Sequence, residues 1–138
     1  MLDGKRDLTA KVADFGMARE MDDDEYTNRT MNPVGPLKWM APEQMHECAY
    51  STASDVFSFG VVLYEMFHRQ PPWSGKNNLV VANNVMNGER MKIDRKKTPR
   101  DVRKLMQDCW LAEPKERPKI KQVRHTLHEL METSSSES

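Results

Sequence analysis

The chain has 138 residues, with 21 Lys and Arg balancing 21 Asp and Glu, enough for one modest domain with a real core. Zero net charge leaves no field that would steer it to nucleic acid or an anionic membrane, and no apolar stretch is long enough to span a bilayer. Cys48 and Cys109 lack metal-ligand spacing and read as free thiols of a reducing compartment, while residues 1–6 have no apolar run of a secretory leader.

Residues 8–13 alternate as a short strand ending at Asp14. Residues 16–40 contain Gly16, Pro33, Gly35, Pro36 and the acidic run Asp22-Asp23-Asp24-Glu25. That composition predicts a long loop, which in a small domain is usually functional. A short helix over 42–48 has Pro42 at its first position. Ser54 or Asp55 then caps a helix running to about Phe67. Its apolar residues circle the cylinder, so burial on every side is expected. Pro71-Pro72-Trp73 stops it. Further helices are predicted over 78–87, closed by Gly88, over 100–110 and over 118–131, the last with Ile120, Val123, Leu127 and Leu130 on one face. His125 and His128, at i and i+3 with no third ligand nearby, read as a solvated helix face rather than a metal site. Ser134-Ser135-Ser136 opens a frayed tail, giving a domain over 1–132 and a disordered tail over 133–138. One short N-terminal strand followed by about five helices makes the fold mainly α.

Two motifs stand out. Ala13-Asp14-Phe15-Gly16 follows the strand, and Pro36-Leu37-Lys38-Trp39-Met40-Ala41-Pro42-Glu43 ends 29 positions after Asp14. In this order and separation they resemble the two brackets of a protein-kinase activation segment. The chain is similar to the C-terminal lobe of eukaryotic protein kinases over about residues 2–131. The resemblance implies that Asp14 holds Mg²⁺ against the ATP phosphates, with Phe15 as the packing residue that toggles activity and Gly16 as a flexible joint. Tyr26, among carboxylates in Asp24-Glu25-Tyr26-Thr27-Asn28-Arg29, looks like an autophosphorylation site, with Arg19 and Arg29 as phosphate partners; the alternative is a solvated loop tyrosine. Pro36, Leu37, Lys38 and Trp39 would frame the acceptor residue. Pro36 leans toward a tyrosine acceptor, although the tyrosine-kinase-like group blurs the distinction.

Asp55-Val56-Phe57-Ser58-Phe59-Gly60 resembles the start of the family's central helix, with Phe57 where Trp is usual. Asp55 would there anchor the backbone of the catalytic loop. Cys109-Trp110, Glu113-Pro114 and Arg117-Pro118 match the last inter-helix turn, and Arg117 is expected to form a buried pair with Glu43. Ile120 stands where an aromatic is common.

Other family parts are missing from these residues. The glycines at 4, 16, 35, 60, 75 and 88 form no G-x-G-x-x-G, and there is no Val-Ala-Ile-Lys and no His-Arg-Asp. No catalytic residue is therefore present: the base would lie upstream of Met1, as would the N-lobe and the helix that packs along the central helix. ATP and Mg²⁺ would serve the full-length parent, and neither is expected to bind this chain well. The implied function is part of a kinase acting on protein hydroxyls, with a protein substrate, no nucleic-acid partner and no membrane segment. The expected location is the cytoplasm, or the cytoplasmic portion of a larger protein. The alternative is a non-catalytic, kinase-derived binding module, which would have no need of Asp14.

Overall fold

One of the two 17-residue helices among the described residues begins where a serine can satisfy its first amides. In the computed structural model, which describes residues 9–13, 28–29 and 36–136, Ser51 is extended and its side-chain oxygen accepts from Ser54 N–H at 3.1 Å. Ser54 Oγ returns the favour by accepting from Ser51 N–H at 2.8 Å. The cap expected at Ser54 or Asp55 thus sits at Ser51, because the reciprocal bonds satisfy two amides that a start at 54 would leave open.

Helix α1 spans Pro42–Glu47, α2 Thr52–His68, α3 Asn78–Met86, α4 Arg100–Cys109 and α5 Ile120–Ser136. Two single 3₁₀ turns, Leu37–Trp39 and Pro114–Glu116, precede α1 and α5. Among the described residues the only sheet is a two-residue antiparallel pair, β1 (Asn28–Arg29) with β2 (Ala49–Tyr50), in register Asn28 to Tyr50 and Arg29 to Ala49. Residues 9–13 of the expected N-terminal strand are exposed and without regular structure. A strand needs a ladder partner, and among the described residues none is placed beside them. Among the described residues the structure shows mainly α architecture with five α-helices.

The core is built by α2 packing along α4, with α3, α5 and the 3₁₀ turns closing its edges. Helix α4 buries Val102, Leu105, Met106 and Cys109, an i, i+3, i+4, i+7 stripe, and turns Lys104 and Gln107 outward. Helix α2 meets it at Gly60. A Cβ there would lie 2.7 Å from Trp110 Nε1 and 2.8 Å from Cys109 Cβ, so only glycine permits this approach. Gly88, at φ 90°, ends the turn after α3.

Burial of α2 is one-sided. Val56, Phe57, Val61, Leu63 and Tyr64 are buried, but Val62 is 40% exposed and Met66 64%. Ile120, expected on the inner face of α5, is also largely exposed, while Val123 is buried and Leu127 and Leu130 are partly covered. Helix α5 continues through Ser136, past the point where the serine run predicts fraying. No helix among the described residues is long and apolar enough to cross a membrane.

Candidate functional site

The best-defined constellation lies where the Leu37–Trp39 turn, the mouth of α1 and the turn before α5 meet the flank of α2. Its centre is Arg117, whose side chain is fully buried. The guanidinium forks onto Glu43, with Nη1 to Oε1 at 2.6 Å and Nη2 to Oε2 at 2.8 Å. Its remaining donors reach backbone carbonyls: Nε to Leu111 at 2.8 Å, Nη1 to Ala53 at 3.0 Å and Nη2 to Ala112 at 3.3 Å. All five N–H groups of the fork are used. The arrangement joins α1, the start of α2 and the α4–α5 connection through one side chain, across 74 positions of sequence in the case of Glu43.

Phe57 adds a ring contact to the carboxylate and carbonyls that make this charge tolerable in the interior. Two guanidiniums approach its ring, Arg117 at 5.1 Å and Arg90 at 5.3 Å from the centroid. Arg90 donates from Nε to the Trp110 carbonyl at 2.8 Å and from Nη1 to the Val85 carbonyl at 3.1 Å. Burial, and then the charge of Arg117, pull the Arg90 pKa below the ordinary arginine value, while Glu43 opposes them. Sequence reasoning missed Arg90. It sits two residues after Gly88 in a polar connection, and nothing local marks it as the second cation of the cluster.

The Pro36–Trp39 bracket is held from below. Trp39 Nε1 donates to Glu65 Oε1 at 2.6 Å, and Ser58 Oγ donates to the Trp39 carbonyl at 2.7 Å, both from α2. Ala41 N–H donates to Gln44 Oε1 at 2.7 Å, fixing the entry to α1. Leu37 and Trp39 lean on the core, and Pro36 remains exposed. The bracket is therefore a shelf hydrogen-bonded to α2, with its proline facing water.

Asp55 lies in the first turn of α2 and is exposed. Among the described residues its carboxylate has no hydrogen-bond or ion-pair partner, and lost hydration raises its pKa. Cys109 is buried, with its thiol pushed up to about 12 chiefly by burial and next by Asp108; Cys48 is half-buried and also free. His125 and His128 pair with Glu129 and Glu132 one turn on, at 3.1 and 3.2 Å, on the solvated face of α5. Arg29 lies in β1. The Asp14, Phe15, Gly16, Arg19 and Tyr26 assignments lie outside the described residues.

Comparison with known proteins gives this arrangement a context. Residues 3–127 match the family model described as protein tyrosine and serine/threonine kinase. Tyrosine-protein kinase Srms of Homo sapiens is 40% identical over 122 residues, covering 88% of this chain and 25% of that protein. Protein-tyrosine kinase 6 of Homo sapiens is 43% identical over 118 residues, covering 85% of this chain and 26% of that protein. The insulin-like receptor of Drosophila melanogaster is 41% identical over 113 residues, or 81% of this chain and 5% of that protein. The chain thus spans about a quarter or less of the length of these relatives.

Proposed function

The chain belongs to the protein tyrosine and serine/threonine kinase family, and from that premise we propose that it is the activation-segment and substrate-binding half of an enzyme moving the ATP γ-phosphate onto protein tyrosine. One observation supports this most: the Pro36–Trp39 shelf is fixed by Glu65 and Ser58, and the segment leading on from it is tied down by the Glu43–Arg117 fork. Phosphoryl transfer depends mostly on positioning, so a shelf anchored by hydrogen bonds to α2 suits an acceptor site. The exposed Pro36 ring would support the acceptor ring, with Leu37, Lys38 and Trp39 as the strip beneath the substrate chain.

In this reading Asp14, Phe15 and Gly16 form the nucleotide-side bracket, and Asp14 would be the chain's ligand for Mg²⁺, which neutralises phosphate charge when bound with ATP. Tyr26 is the regulatory phosphosite, with Arg19 and Arg29 as the chain's own candidates to receive the phosphate. Asp55, which has no partner among the described residues, would anchor the catalytic loop of the full-length protein. The Val62 and Met66 flank of α2 would be covered by the rest of that protein's kinase domain. The 138 residues contain no glycine-rich loop, phosphate lysine or catalytic base, so the isolated chain is expected to be inactive.

Phosphoamino-acid analysis of the full-length protein's product tests the acceptor. Phosphotyrosine supports the proposal; phosphate only on serine and threonine overturns it. Absence of transfer by the full-length protein would leave the alternative of a binding module.

A further inference from the structure

The chain is neutral as a whole, yet residues 89–104 hold eight Lys and Arg against three carboxylates, a local excess of five positive charges. Their roles differ. Arg90 and Arg103 serve the fold, Arg103 Nη1 donating to the Thr98 carbonyl at 2.8 Å and to that of Arg95 at 3.3 Å. Lys104 faces Asp108 at 3.5 Å. Lys92, Arg95, Lys96, Lys97 and Arg100 are exposed, and among the described residues none of their side chains joins an ion pair or hydrogen bond. The one carboxylate between them, Asp94, is occupied in accepting from Lys96 N–H at 2.8 Å.

The backbone presenting these cations is pinned. His68 Nε2 accepts from Asp94 N–H at 2.9 Å, while its Nδ1 lies 3.0 Å from the Tyr64 carbonyl, fixing the Nδ1–H tautomer. Trp73 N–H reaches Met91 Sδ at 3.2 Å. Five unpaired like charges on a fixed segment repel one another, and an anion that binds them orders only their side chains, the backbone being already held.

We propose that this ridge is a docking surface for an acidic stretch of polypeptide, sharing no residue with the Pro36–Trp39 shelf. Two concave clefts flank it. One, of about 530 Å³, is lined by Met91, Ile93 and Trp110 beside Arg95; the other, of about 510 Å³, by Tyr64, His68 and Ile93 beside Lys96 and Lys97. Clefts with apolar floors and cationic rims accept a peptide side chain while neighbouring carboxylates meet the rim. A flat lipid surface cannot enter them, and interspersed Glu89, Asp94 and Asp101 oppose a continuous anionic sheet. Tyr64 and Trp110 are buried, so no aromatic platform is offered to unpaired bases.

The test uses the 138-residue chain and a fluorescein-labelled peptide of six glutamates around a central leucine, read by anisotropy. Saturable binding is expected, at least tenfold weaker for the Lys96→Glu/Lys97→Glu variant and lost for the peptide with glutamine in place of glutamate. Arg95→Ala/Arg100→Ala provides a second reading with an unchanged far-UV circular dichroism spectrum as control. Equal binding of the glutamine peptide, or no loss in either folded variant, overturns the proposal. So does tighter, ridge-dependent binding to phosphatidylserine vesicles or single-stranded RNA.

Discussion

Arg117 is the side chain on which most depends, since five hydrogen bonds and one ring face converge on it. Replacing it by methionine removes the charge and the fork together, so Glu43 and three carbonyls lose partners in a water-poor site. Urea unfolding of Arg117→Met is expected to show a loss of about 3 kcal/mol or more, within the range for breaking a buried pair from one side. A loss below about 1 kcal/mol would mean that the pair is incidental. Cys109 gives a pH signature. Its folded-state pKa of about 12 stands above an ordinary 9.0, so the folded state holds the proton more tightly. Its contribution is fully present below pH 9.0 and is lost as pH rises toward about 12, by up to about 1.4 kcal/mol per pH unit. Urea midpoints from pH 8 upward should fall more steeply for the parent than for Cys109→Ala; parallel curves would refute the assignment. The Glu43–Arg117 contact was legible in sequence through two family motifs. Arg90 was not, because its role depends on a ring 33 positions away that only folding brings beneath it.

Helix α2 shows how element and partner constrain each other. Its start is set locally, by the Ser51–Ser54 exchange, and Ser51→Ala should cost about 1 kcal/mol by chemical denaturation. A loss indistinguishable from zero would show that water replaces the cap. Its middle is set by α4. Gly60→Ala would ordinarily help a helix, since alanine is the better former by about 1 kcal/mol, but here the new methyl meets the Trp110 indole and Cys109. The expected sign is therefore reversed, a destabilisation of about 1–3 kcal/mol from overpacking, and a raised melting temperature would contradict the close approach. The spacing of α4 revealed its buried stripe in full. For α2 the all-round apolar pattern announced burial without saying by what, and Val62 and Met66 remain uncovered.

At the scale of the molecule, the Val62 and Met66 flank of α2 lies open to solvent. If the rest of the kinase domain covers it, Val62→Ser/Met66→Ser should barely shift the unfolding of the isolated chain, where both side chains already meet water. The same pair should lower the melting temperature of the full-length protein by several degrees, since burying each such side chain is worth about 1.5–3 kcal/mol. Equal shifts in both would place the flank in solvent throughout.

Sequence by itself determined the mainly α class, the approximate helices and the pairing of Glu43 with Arg117, because periodicity, prolines, glycines and family motifs are local marks. It misplaced the α2 cap by three or four residues, since a reciprocal serine pair resembles any polar helix start. It put Ile120 inside and raised a strand over 8–13 whose described part has no ladder partner. What tertiary structure decided was which surfaces meet: the two guanidiniums around Phe57, the glycine demanded by Trp110, and the cations of 89–104 gathered on one pinned ridge. Those depend on distances between segments remote in sequence, and contact between remote segments is fixed by packing rather than by any local pattern.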